Sequence, residues 1–137
     1  LNVYSSTKSF YGHKPQQRGH FVSKKKRAIK ELKIGPTTHD VNLTDQEAWN
    51  AYAATMGSLV YGAFDAWSGI HVDPTLPESR KKVILTHELL HAIIDSMNVV
   101  LTSEMEEQIV TGMAVILTEV LQDNPRYVEY ITNGQNA

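Results

Sequence analysis

Glu78-Ser79-Arg80-Lys81-Lys82-Val83-Ile84-Leu85-Thr86-His87-Glu88-Leu89-Leu90-His91-Ala92 decides how the rest of the chain is read. Pro74 and Pro77 stop whatever precedes it, and Glu78 suits a first helical turn, whose free amides favour negative charge. The stretch therefore predicts a long amphipathic helix from about Glu78 to Met97. A pitch of about 3.6 residues places His87 and His91 on one face, within reach of a single ion about 2 Å from each nitrogen. Glu88 lies about 100° round the helix from His87. From there its carboxylate can flank the ion and take a proton from an attacking water. His-Glu-x-x-His on a helix thus points to zinc hydrolase chemistry.

Working outward, Leu59 to Phe64 is rich in strand formers, and Ile70-His71-Val72-Asp73 alternates after the Ser68-Gly69 turn signal, which together predict a hairpin. Upstream, Thr44-Asp45-Gln46-Glu47 reads as a capping box, with Ala48, Trp49, Tyr52, Ala53 and Met56 at helical spacing behind it. That predicts a helix over about Asp45 to Thr55. Thr37 to Leu43 holds a partial alternation suited to a strand, and Ala28, Ile29 and Leu32 give the preceding segment, Lys24 to Lys33, the thin stripe of a short helix ended by Gly35-Pro36. Downstream, Thr102 or Ser103 can cap a last long helix reaching about Gln122, with Ile109, Val110, Met113, Ile116, Leu117, Val120 and Leu121 as its core stripe and Asn124-Pro125 as its stop.

The chain has 137 residues, enough for one domain with a real core, and no cysteine. Disulfides, thiolate metal ligands and a cysteine nucleophile are excluded, so a metal must be held by nitrogen and oxygen. No apolar run approaches the ~20 residues needed to cross a bilayer, so no membrane partner is expected and a soluble, cytoplasmic protein is. The net charge of −2 hides an asymmetry: before Ile34 nine Lys and Arg face the single acid Glu31, and from Ile34 onward four basic residues face fourteen acids. Two regions follow, a basic amino-terminal arm over 1–33 and a domain over 34–137. The Lys24-Lys25-Lys26-Arg27 cluster reads first as a solvated face. Contact with nucleic acid, or docking on the acidic domain, is the sharper alternative.

Two histidines leave a third protein ligand to find, and no histidine follows His91. The carboxylates that follow are the candidates. Taking Ile109 as zero and about 100° per residue, the apolar stripe of the last helix centres near 45°, with Glu106 near 60° and Glu107 near 160°. An acid inside an apolar stripe is costly unless paired, so Glu106 is the expected ligand, with Glu107 and Asp95 as rivals. Asp95 continues the i+4 series of His87 and His91 and suits a role orienting a ligand histidine. Tyr52 and Tyr61 are hydroxyl candidates for an oxyanion, and His71 faces either the cleft or, by preference, solvent.

The run Gly69-Ile70-His71-Val72-Asp73-Pro74, then Leu76-Pro77, Arg80 and Leu85 to Ala92, resembles small, mostly uncharacterised zincin-like metallopeptidases of bacteriophages and prophages; Glu106 to Val110 and Asp123-Asn124-Pro125 fit the same pattern. The resemblance spans roughly Ile34 to Asn124. It implies an α+β fold, a minimal zincin-like domain in which a small antiparallel sheet packs against the His-Glu-x-x-His helix and a second long helix. It also implies zinc as cofactor, Glu88 as base, and Glu106 as third ligand beside His87 and His91. Ile70 to Asp73 would be the edge that an extended substrate joins.

The expectation is a zinc metalloprotease acting on a peptide or protein, with His87, His91 and Glu106 on the metal and Glu88 as catalytic base. The alternative is a metal-stabilised module without turnover, whose arm engages nucleic acid or a phage-assembly partner. Oligomeric state is left open by the sequence.

Overall fold

The computed structural model describes residues 28–57 and 60–133. The Lys24 to Arg27 cluster and the rest of the arm before Ala28 lie outside them, as does Leu59 of the expected strand. Two hairpins make the sheet. The first pairs β1 (Glu31–Ile34) with β2 (Thr37–Asn42), Ile34 opposite Thr37. The short helix expected up to Lys33 is therefore replaced by a strand at its end. Gly35 at φ +58°, followed by proline with its fixed negative φ, supplies the two central residues of a type II′ hairpin turn, so Gly35-Pro36 reverses the chain where it was read as a helix stop. The second hairpin pairs β3 (Gly62–Asp65) with β4 (Gly69–Val72), as expected. Asp65 closes its turn by accepting from the amides of Trp67 at 2.7 Å and Ser68 at 3.0 Å.

The hairpins join through a parallel seam in which Val41 pairs with Ile70 and Asn42 with His71. The strand order is β1-β2-β4-β3, so the sheet is mixed where a wholly antiparallel one was expected. β4 is consequently internal. The edge beside the motif helix is β3, which corrects the expectation that Ile70 to Asp73 would be the free edge.

Between the strands lies α1 (Gln46–Met56), whose N-cap is Asp45, accepting from the Ala48 amide at 2.9 Å, one residue later than the Thr44 capping box implied. Trp49 is its buried anchor, and its Tyr52 stacks on His71 on one face of the sheet. The other face receives α2 (Glu78–Met97). Val41, Ile70 and Val72 meet Ile84 and Leu85 there, joined by Leu32, Leu43, Phe64 and Leu76. On its far side α2 packs against α3 (Ser103–Asp123), burying Leu90, Val110 and Ala114. The molecule is thus a small α+β domain: a four-stranded mixed sheet, the motif helix, and a second long helix. Beyond Asn124, Pro125 starts a further short helix, α4 (Pro125–Thr132), because proline is well tolerated in a first turn. Among the described residues no helix is long and apolar enough to cross a membrane.

Candidate metal centre and active site

The position of α2 between two partners explains the placement of the motif. With Ile84 at zero and about 100° per residue, the sheet-facing Leu85, Glu88 and Ala92 fall near 40–100°, and the α3-facing Val83, Leu90 and Ile94 near 240–280°. His87 and His91 fall near 300–340°, on the strip between the two contacts, where a cleft opens beside β3. The imidazoles are half-buried there, with 18 % and 19 % of their side-chain surface exposed. Burial lowers the His87 pKa, partly opposed by the Glu107 carboxylate, and so favours the neutral ring that a metal requires.

The two Nε2 atoms face each other at 3.2 Å. Glu107 reaches both, with Oε1 3.1 Å from His87 Nε2 and Oε2 3.1 Å from His91 Nε2. These three residues form the cluster capable of holding a metal ion. Two ligands of a tetrahedral ion with bonds of about 2.0–2.1 Å stand roughly 3.3 Å apart. The donor separations match that spacing, and the all-nitrogen-and-oxygen set suits zinc.

Glu106 is brought to the site in another way. Its Oε1 lies 2.7 Å from His91 Nδ1, on the opposite side of the ring from the cluster. Nδ1–H donating to that carboxylate leaves the Nε2 lone pair turned toward His87 and Glu107. Asp95 lines the cleft one turn further along α2. Of the other candidates, Tyr61 holds the Arg80 guanidinium 4.6 Å from its ring centre and does not line the cleft. His71 also lies away from the cleft, stacked under Tyr52 at 4.1 Å with Nε2 3.1 Å from the Ser68 hydroxyl.

Glu88 is 7 % exposed and lies against β3. Its pKa is raised to about 7, chiefly by desolvation, while the nearby His91 and a hydrogen bond from the Phe64 backbone pull it down. The strand can lie this close only because residue 62 is glycine: a methyl there would stand 3.0 Å from Glu88 Oε1 and 2.5 Å from Ile84 Cγ2. Behind the histidines, the Thr86 and Thr118 hydroxyls meet at 3.0 Å across the α2–α3 contact and help fix its register.

Sequence reasoning passed over the cleft walls contributed by Met56, Val60, Gly62 and Phe64 and by the turn residues Val99 and Val100. No periodic signal marks such residues, apart from the strand glycine, which hints at a close approach. No family model, curated protein or solved structure matches the chain.

Proposed function

We propose that the chain is a zinc-dependent peptidase in which His87, His91 and Glu107 hold the ion, Glu106 orients His91, and Glu88 is the catalytic base. The observation that carries this reading is the convergence of three donors at 3.1–3.2 Å beside a buried carboxylate. On this reading Glu106 stands on the far side of a ligand and not on the metal. The ion, when bound, supplies Lewis acidity toward the scissile carbonyl.

Glu88 takes the proton from the attacking water and delivers it to the departing amine. A carboxyl group whose pKa is pushed to about 7 is suited to both halves of that transfer near neutral pH. The free edge of β3 borders the same cleft and offers unpaired backbone groups to an extended peptide. This supports a peptide over a small-molecule amide. The metallopeptidase half of the motif resemblance has this geometry behind it, whereas a phage or prophage origin rests on the resemblance alone.

The test is Glu88→Gln. The variant is expected to bind zinc at the wild-type stoichiometry, measured by elemental analysis, and to lose at least about 100-fold in peptide hydrolysis. Undiminished hydrolysis would remove the mechanism.

A further inference from the structure

We infer that the outer face of α3 is an interface with a second copy of this chain, the two α3 helices lying antiparallel about a two-fold axis at Gly112 and Met113. This goes beyond the peptidase reading and uses no residue that lines the cleft. On α3, Met105, Ile109, Gly112, Met113, Ile116 and Val120 fall within an arc of about 100°, turned away from the Val110, Ala114 and Thr118 side that is buried. The five large side chains of that arc are exposed by 40–63 %. A groove of about 490 Å³ runs among them and, among the described residues, is lined by apolar residues of α3 alone.

The order of these residues names the occupant. The set reads the same in both directions about its midpoint: Met105 mirrors Val120, Ile109 mirrors Ile116, and Gly112 mirrors Met113. A two-fold interface needs that property, because residue i of one copy meets residue j of the other while j meets i. Antiparallel α3 helices therefore set every apolar residue of the stripe against another.

Gly112 marks the axis. Glycine is unfavourable inside a helix, and a Cβ at this position would meet nothing within 4 Å, so no contact in the described fold calls for its small size. Against a second α3 it has a use: the backbones come closer, and the mirrored Met113 side chain finds room.

The area agrees with a pair. The five large side chains present roughly 450 Å² of apolar surface, and with interfaces about 60 % apolar the contact covers roughly 750 Å² per copy, near the ~800 Å² of a stable complex. Of the acids at the rim, Glu106 is engaged by His91 and Glu119 is exposed, so neither charge is taken out of water unpaired.

Sedimentation of the full-length protein at about 10 μM is expected to give twice the 15.4 kDa of one chain. Ile116→Glu, a surface change beside the axis, should sediment as a monomer with the helix content and zinc content of the wild type. The chain has no cysteine, so introduced thiols report the register. Met113→Cys should form a disulfide-linked pair under mild oxidation, whereas Met105→Cys should not, because its counterpart lies about 22 Å away along the helix. A dimer retained in Ile116→Glu, or equal cross-linking at the two positions, would overturn the interface. Monomeric full-length protein would overturn it too, and would return this face to the arm or to a different partner. None of these readouts depends on hydrolysis, so a failure of the peptidase reading leaves the interface standing.

Discussion

Glu106 and Glu107 are neighbours in sequence with different contacts, and that difference is the sharpest residue-level consequence of the fold. Glu107 touches both Nε2 atoms, while Glu106 touches only Nδ1 of His91. Glu107→Ala is therefore expected to abolish stoichiometric zinc binding, whereas Glu106→Gln should retain zinc with affinity lowered about 10–100-fold, as titration against a competing chelator would show. Equal losses in the two variants would contradict the assignment. A second prediction concerns Glu88 in the chelator-treated protein. Its folded-state pKa of about 7 lies above the ordinary 4.5, so between those values the folded protein holds a proton that the unfolded chain has released. The stability linked to that proton is complete below about pH 4.5 and is lost as pH rises through about 7. Glu88→Gln, neutral at every pH, should gain on the wild type across this window by up to about 3 kcal/mol in urea denaturation. A gap that does not change with pH would show that Glu88 ionises normally. The two histidines and Glu88 were legible in the sequence because one helix carries all three. The different contacts of the two later acids were not, since they depend on which side of α3 meets α2.

At the level of elements, that difference has a specific cause. The apolar arc of α3 is wider than its contact with α2. Val110, Ala114 and Thr118, near 100–180° from Ile109, are the buried positions, and Glu107 near 160° belongs with them. Ile109, Met113, Ile116 and Val120, which pulled the expected stripe toward Glu106, are instead exposed by 40–63 %. Hydrophobic periodicity shows which residues are apolar, and only the packing shows which of them a given neighbour covers. The same limit explains β1. Ala28, Ile29 and Leu32 gave Lys24 to Lys33 the stripe of a short helix, but Leu32 and Ile34 alternate on a strand that Thr37 to Asp40 hold by pairing. By contrast, α2 and the β3–β4 hairpin match expectation closely, because proline stops, a turn signal and a long amphipathic run all agree there.

At the scale of the described fold, two local hairpins share one short seam, and α2 packs across both of them and against α3. Gly69, at φ +91°, lets β4 approach the Asp40 carbonyl so closely that a side chain would collide with it. Gly69→Ala combines that collision with an unfavourable backbone conformation, and is expected to destabilise the protein by on the order of 2–3 kcal/mol, read as a lower urea midpoint. A midpoint equal to the wild type would mean that the seam contributes little. The seam also has a bearing on the timing of assembly. Each hairpin closes over a few residues, and α2 meets α3 across a short turn, whereas joining Val41 to Ile70 must close the entire span containing α1. Chain entropy makes that long closure the slow one. His87, His91 and Glu107 belong to the fast part, so their cluster can assemble before the sheet is complete during folding.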